Sequence, residues 1–234
     1  MARDVGACLV CGKPIVYYES ARKMECVMCH GEFESHASCE DGHYVCDECH
    51  AKRGIQAIME GCGKSKEKDP ISIMQKLMED PYIYMHGPEH HVMVGSALLT
   101  AYRNGGGEIE LEKALAEMMG RGKKVPGGTC GFWGACGAGI SAGMFVSIIS
   151  KSTPLAVEPF GLSHLMTSKA LGQIGMVGGP RCCKRDSYLS ILATVDFVKD
   201  NFGIEMEKME VVCGHFSQNN QCIGKRCPFS KVNH

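Results

Sequence analysis

The chain has 234 residues, of which 44% are hydrophobic and 22% are charged, and its formal net charge is −1 at pH 7. This composition can bury a core, so it excludes a disordered or collagen-like chain. The near-zero net charge offers no general attraction for a polyanion, which disfavours nucleic acid as a partner.

Cysteine is unusually frequent, with fifteen residues in the chain. An odd number cannot pair completely within one chain, and the density is below that of small domains stapled by disulfides. The opening segment MARDVGACLV lacks the basic and apolar parts of a secretory signal. We therefore expect a cytoplasmic protein whose reduced thiols serve metal or redox chemistry, as would suit an anaerobic organism.

The first fifty residues contain the Cys and His spacing of zinc sites. Two Cys-x2-Cys pairs flank a β-prone stretch at 15–18 and resemble a zinc ribbon. The following segment, SCEDGHYVCDECH, holds a full ligand set of its own, in which His43 is favoured over His36. Spacing leaves open whether the pairs fill separate sites or interleave. We expect two zinc ions, held by Cys8, Cys11, Cys26, Cys29, Cys39, His43, Cys46 and Cys49.

A charged stretch flanked by Gly and Pro, at 61–70, marks a boundary in the chain. We expect residues 1–62 to form a zinc-ribbon-like or treble-clef-like β-rich module that folds on binding metal. Residues 63–234 are expected to form an all-helical, Cys-rich domain, so the predicted fold class is mainly α. Hydrophobic periodicity and capping signals predict helices at 70–80, 88–102, 110–119, 138–150, 161–174 and 186–202.

The uncharged segment 125–150 is long enough to cross a bilayer. Its seven glycines give it weak hydropathy, so it favours a buried helix over a membrane span. Small residues such as Ala138 and Ala142 would also permit close pairing of helices. Such pairing could occur between two copies of the chain, so a homo-oligomer is possible.

Four cysteines and two histidines precede or begin predicted helices. Cys130, Cys136, Cys182 and Cys183 stand in Gly-rich loops, and His90 and His91 follow Pro88. Helix N-termini carry partial positive charge, so we expect lowered thiol pKa values there. If these helix starts converge, they form a pocket. The candidate catalytic residues are Cys136 and Cys183, with His90 or His91 as proton donor or ligand.

The tail CGHFSQNNQCIGKRCPF contains three irregularly spaced cysteines, the last followed by Pro228. This pattern favours a [4Fe–4S] cluster held by Cys213, Cys222 and Cys227, with Cys182 as the candidate fourth ligand. Cys183 or another distant cysteine could also complete it, or the fourth iron could stay open for substrate. A zinc site with His215, or buried thiols without metal, are the alternatives.

Five segments carry a resemblance to a known group of proteins. CLVCGKPIVYY, SCEDGHYVCDECH, HGPEHHVMVGSALLTAY, CGFWGACGAGISAGM and GGPRCCKRDSYLSI resemble an uncharacterised Cys-rich family of anaerobic archaea and bacteria. The central ACGAGISAGMFVS is distantly similar to presumed redox proteins with a Gly- and Cys-rich helix start. That similarity implies an all-helical redox or metal domain. His90 and His91 stand near the position where those proteins are expected to have their first Cys.

Three functions compete on this basis. The first is an iron–sulfur redox or sulfur-handling enzyme acting on a small anionic or sulfur-bearing molecule. The second is a non-catalytic accessory protein that delivers metal or sulfur to another anaerobic enzyme, or docks on it. The third is a zinc-ribbon protein acting on RNA.

Overall fold

The computed structural model describes residues 8–231, which form a two-stranded hairpin followed by helices. The mainly helical fold class with a small N-terminal β module is confirmed. The strands are β1 (Ile15–Glu25) and β2 (Glu32–Cys39). The helices are α1 (Asp47–Lys64), α2 (Pro70–Met78), α3 (His90–Asn104), α4 (Leu111–Gly122), α5 (Thr129–Phe132), α6 (Gly137–Ile149), α7 (Glu158–Val177) and α8 (Cys183–Phe202).

The hairpin has little hydrophobic core of its own. β1 and β2 run antiparallel, with Ile15 opposite Cys39 and Glu25 opposite Glu32. Most side chains of β1 are exposed, whereas Cys39 at the end of β2 is buried. A hairpin with so little apolar burial is marginal alone, so its ends need another anchor.

Helix α1 joins the hairpin to the helical part of the molecule. It begins directly after Cys46 and continues to Lys64, across the predicted boundary at residue 62. Ile55 and Ile58 on this helix pack into the main hydrophobic core. The sequence pattern does not predict α1, because the first turn of this helix overlaps a ligand motif and its apolar stripe crosses the predicted boundary.

Helices α3, α6 and α8 form the centre of the core. α3 is buried along nearly its whole length, and Phe145 and Val146 of α6 are fully buried beside it. Gly139 and Gly143 let α6 lie close against α7, where a side chain would meet Leu171 or Thr167. The segment tested as a membrane span therefore contains a buried helix. Within residues 8–231, none of the helices combines the length and apolar character needed to cross a bilayer.

The start of α8 differs from the prediction in a way that affects the site. The helix begins at Cys183, three residues before the predicted start at 186. The sulfur of Cys182 accepts a hydrogen bond from the Arg185 N–H at 3.5 Å and so takes the place of a usual capping side chain. Cys183 therefore lies within the helix rather than ahead of it.

Candidate metal and thiol sites

Two groups of four side chains near the N-terminus can each hold a metal ion. In each group the ligand atoms lie within 4.8 Å of one another. The first metal group is Cys8, Cys11, Cys39 and His43, and the second is Cys26, Cys29, Cys46 and Cys49.

The ligand atoms of both groups are closely spaced. The Sγ atoms of Cys11 and Cys39 are 3.7 Å apart, and those of Cys29 and Cys46 are 3.8 Å apart. Nδ1 of His43 lies 3.4 Å from the Cys39 sulfur. Nδ1 is thus the imidazole atom in contact with a sulfur of the first group.

The two metal groups interleave along the chain. Of the two arrangements that the spacing left open, the structure shows the interleaved one, because the first and second Cys-x2-Cys pairs lie at opposite ends of β1. The segment from Cys39 to Cys49 likewise does not form a set of its own, since it is divided between the groups. His36 lies outside both groups, with Nδ1 3.2 Å from the Tyr18 carbonyl oxygen.

Backbone N–H groups donate to the buried sulfurs of these groups. The Val10 N–H lies 3.4 Å from the Cys8 sulfur, and the Asp41 N–H lies 3.3 Å from the Cys39 sulfur. In both cases the donor is two residues beyond the cysteine. At Cys8, burial raises the pKa of the thiol, but hydrogen bonds including the one from Val10 outweigh it and lower the pKa, which favours the thiolate that binds metal.

Four cysteines, one directly before α8 and three from the tail after it, line one small cavity beside the start of α8. The cavity is narrow, with a volume of about 20 Å³ open to a water-sized molecule. Much of the remaining wall is apolar, with Tyr188 and Phe229 among the lining residues. We call it the four-cysteine cavity, after its lining residues Cys182, Cys213, Cys222 and Cys227.

The sulfurs of this cavity also accept N–H hydrogen bonds. Cys213, Cys222 and Cys227 each receive one from the backbone two residues later, at 3.4 Å for the first two. The side-chain amide of Asn219 lies 3.6 Å from the Cys182 sulfur. The backbone donors two residues beyond each cysteine repeat the arrangement seen at Cys8 and Cys39 in the first metal group. In residues 8–231, however, no third set brings three Cys, His, Asp or Glu ligand atoms within 4.8 Å.

A second group of thiols lies where α6 and α8 begin. The Cys136 sulfur donates to Oδ2 of Asp186 at 3.8 Å, and Asp186 is one turn beyond Cys183 on α8. Oδ1 of the same carboxylate accepts a hydrogen bond from Nε of Arg185 at 3.0 Å. We call Cys136, Cys183 and Asp186 the thiol site.

The expectation of lowered thiol pKa values at the helix starts is wrong. Burial raises the pKa of Cys136 to about 12 and that of Cys182 to about 11, and it raises the pKa of Cys183 as well. Loss of water around the sulfur outweighs the favourable helix N-terminus. Burial also raises the pKa of Asp186, although Arg185 opposes the shift.

His90 and His91 are both buried at the start of α3. Nδ1 of His90 lies 3.1 Å from the Gly87 carbonyl oxygen, and Nδ1 of His91 lies 3.0 Å from the Val125 carbonyl oxygen. Burial lowers the pKa of both imidazoles, which favours their neutral form at pH 7. The His91 ring packs on Gly137, directly after Cys136. The helix starts thus converge, while a catalytic role for the histidines stays a prediction.

A buried carboxylate that the sequence pattern does not indicate lies between the second metal group and the start of α3. Glu89 is fully buried, with oxygens 3.7 Å from Nδ1 of His50 and 3.4 Å from Nδ1 of His90. Burial by itself raises the pKa of Glu89, but these two imidazoles bring it well below its usual range. Because His50 directly follows Cys49, the carboxylate connects the second metal group with the start of α3. Asp186 and Asn219 were also missed, and only Asp186, three residues after Cys183, gave a usable signal.

The fold and the site define a mainly helical protein whose N-terminal hairpin carries two Cys- and His-rich groups able to bind metal ions. Residues 58–230 match the model of DUF5714, a family of unknown function, and the chain belongs to that family. The match begins inside α1, so it covers the four-cysteine cavity and the thiol site and leaves out both metal groups. Searches of curated proteins and of solved structures found no match.

Proposed function

We propose that this chain is a redox or sulfur-handling enzyme of anaerobic metabolism with two structural zinc ions and one [4Fe–4S] cluster. Its substrate would be a small anionic or sulfur-bearing molecule. The observation that carries the proposal is the gathering of Cys182, Cys213, Cys222 and Cys227 around one cavity.

Zinc fits the two metal groups. A tetrahedral zinc ion with Zn–S bonds of about 2.3 Å separates its sulfurs by about 3.8 Å. The sulfur–sulfur separations of 3.7 Å and 3.8 Å in the structure agree with that geometry. Because the protein fills all four positions of each group, the ions would stabilise the fold and would not bind substrate.

Among the described residues, the four cysteines of this cavity are not spaced closely enough for three of their sulfurs to lie within 4.8 Å of one another, which favours a cluster over a single ion. The cluster itself stands between its ligands, so their sulfurs lie farther apart than those around one zinc ion. The N–H hydrogen bonds to the sulfurs and the apolar walls are features that tune cluster potentials. A bound cluster would supply one-electron transfer.

Positive charge near the cavity supports the same assignment. Arg185 lines the cavity while it pairs with Asp186, and the buried ammonium of Lys184 interacts with Glu89 and, less strongly, with Cys183, Cys182 and Cys213. Lys184 Nζ donates to the Ile83 carbonyl oxygen at 3.2 Å, which holds it in place. Two cations offset part of the negative charge that four thiolates bring to a buried site.

Metal and sulfide analysis of anoxically purified protein tests the proposal. We expect about two zinc, about four iron and about four acid-labile sulfide per chain. The variant Cys222→Ser should lose the iron and sulfide and keep the zinc. Its side chain is exposed, so the substitution should leave the fold intact.

Cys130→Ser is the matched control, because Cys130 is also solvent-accessible and lies outside the cavity. It should keep both iron and zinc. A folded wild-type protein that contains zinc alone would contradict the proposed cluster. So would a Cys222→Ser variant with undiminished iron.

The second candidate is an accessory protein that delivers metal or sulfur, and the exposure of Cys222 favours it. A cluster with one ligand at the surface is open to exchange with another protein. This role predicts transfer of iron and sulfide to an apo-ferredoxin acceptor on mixing. Retention of the cluster under those conditions would favour the enzyme.

A further inference from the structure

We propose that Asn219 is a positioning residue that raises the reduction potential of the cluster in the four-cysteine cavity through its hydrogen bond to the Cys182 sulfur. The inference rests on the proposed function and deepens it, because it names a side chain that controls electron transfer at the proposed cluster. Asn219 is 7% exposed and lines the cavity.

A backbone N–H fixes the orientation of the Asn219 amide. The Gln221 N–H lies 2.9 Å from Oδ1 of Asn219, and a backbone N–H can only donate. The atom that accepts this bond must therefore be the carbonyl oxygen of the side chain. The amide nitrogen Nδ2 consequently faces the Cys182 sulfur at 3.6 Å, where it acts as a donor.

His86 supports the same orientation from the loop before α3. Its Nε2 lies 3.4 Å from Oδ1 of Asn219, so we assign the ring proton to Nε2, which donates to this oxygen. Oδ1 thus accepts from the tail and from a distant loop. A flipped amide would set its NH₂ group against the Gln221 N–H and its oxygen against the sulfur, which makes the flip unfavourable.

The thiols of the tail take their donors differently. Cys213 and Cys222 accept backbone N–H groups from residues two positions later, each at 3.4 Å. Such bonds belong to the turn itself and persist when a side chain changes. Cys182 also accepts a backbone N–H, from Arg185 at 3.5 Å, but the Asn219 side chain adds a further donor. Substitution of Asn219 therefore changes the donors on Cys182 and leaves these backbone donors in place.

An N–H donor on a thiolate ligand raises the reduction potential of a cluster. Reduction adds one negative charge, part of which the ligand sulfurs carry, so the bond is stronger in the reduced state. Cys182 and Asn219 are both buried, and the exclusion of water strengthens the bond. Removal of this donor should make reduction less favourable by about three- to tenfold, and a tenfold change is about 59 mV for a one-electron couple.

Two substitutions of Asn219 change the bond in different ways. Asn219→Asp keeps the shape of the side chain. One carboxylate oxygen can still accept from Gln221 and His86, while the other brings negative charge to Cys182 in place of a donor. Asn219→Leu removes the donor without adding charge. The equilibrium constant for reduction should fall by about three- to tenfold in Asn219→Leu and further in Asn219→Asp.

The matched control is Asn220→Asp. Asn220 is exposed, follows Asn219 in the chain and does not line the cavity. The substitution adds the same charge close to the site but leaves the hydrogen bond to Cys182 in place. Solvent screens this charge, so the equilibrium constant for reduction should match that of the wild type within about twofold.

The test uses anoxically purified full-length protein and the three variants. Iron and acid-labile sulfide are measured first, and the reduction potential is then determined by a mediated titration with dithionite, followed by visible absorbance and electron paramagnetic resonance. We expect equal iron content in all four proteins and lower potentials in the two Asn219 variants. A merely structural role would lower the iron content and leave the potential of the remaining cluster unchanged.

An Asn219 variant that keeps its iron and has the wild-type potential would overturn the inference and leave the proposed cluster intact. Loss of iron from both Asn219 variants would also overturn it, because Asn219 would then hold the cluster and not tune it. An equal fall in potential in Asn220→Asp would attribute the effect to charge and not to the hydrogen bond. A wild-type protein without iron would instead refute the proposed function itself, so the failures are distinguishable.

Discussion

At the scale of single residues, the imidazole of His86 is joined through Asn219 to the sulfur of Cys182. Its Nε2 lies 3.4 Å from Oδ1 of Asn219, whose amide reaches the Cys182 sulfur. Burial lowers the pKa of His86 to about 4, and the positive charge of Arg181 acts in the same direction. The imidazole is therefore neutral in the native protein at neutral pH.

This histidine makes the fold sensitive to acid. Between pH 6.5 and pH 4 the unfolded chain binds a proton at His86 that the native state does not, so stability falls as pH falls through this window. The free energy of unfolding should therefore fall by roughly 2 kcal/mol less between pH 7 and pH 4.5 in the His86→Gln variant than in the wild type. Urea unfolding at pH 7 and pH 4.5 measures it. An equal loss in both proteins would contradict the assignment.

Gly137 is needed for the contact between α3 and α6. A Cβ atom at this position would overlap the His91 ring. Gly137→Ala should therefore lower the free energy of unfolding by about 1–3 kcal/mol. Gly120→Ala is the control, since nothing lies within 4 Å of the added Cβ and alanine favours helix. Thermal unfolding should show the first variant destabilised and the second slightly stabilised.

At the scale of elements, α1 connects the second metal group with the hydrophobic core. Cys46 caps this helix and Cys49 lies in its first turn, while Ile55 and Ile58 pack two turns further on. The first metal group instead fixes the open end of a hairpin that is mostly exposed. Loss of the ion from the second metal group should therefore destabilise the hydrophobic core, whereas loss of the ion from the first metal group should not.

Two matched substitutions test this difference. Cys49→Ser and Cys11→Ser should each remove one zinc ion, as read by metal analysis. Cys49→Ser should cost at least about 2 kcal/mol more of the helical domain's stability, because it releases the start of α1. Circular dichroism during thermal unfolding measures this. Equal losses in the two variants would show that α1 does not transmit the effect.

The sequence predicted the ligands of the metal groups better than their partners. Cys-x2-Cys spacing is local, so Cys8 with Cys11 and Cys26 with Cys29 could be read directly. The interleaved pairing depends on the hairpin, which separates the ends of β1, and spacing alone cannot show it. The helices after residue 70 followed from local periodicity and capping, whereas α1 was concealed by its ligand motif.

The thiol environments could not be predicted for a related reason. A helix N-terminus is visible in a sequence, but desolvation of the Cys136 sulfur depends on neighbours distant in the chain. The same holds for Asn219, which approaches Cys182 only in the fold. The sequence shows which residues carry charge and where a helix begins, but it does not show which residues bury a side chain.

At the scale of the whole molecule, the candidate sites adjoin one another. The second metal group contacts Glu89 through His50, and the first turn of α8 separates the four-cysteine cavity from the thiol site. The match to DUF5714 spans the cavity and the thiol site and excludes the metal groups. The matched residues therefore belong to the helical part of the chain, and both metal groups lie in the part before it.

Native mass spectrometry of the anoxically purified chain tests the central claim most directly. We predict one dominant species whose added mass corresponds to two zinc ions and one [4Fe–4S] cluster. Acidification should release all three together with the loss of native charge states. A dominant species with zinc as its only added metal would contradict the account.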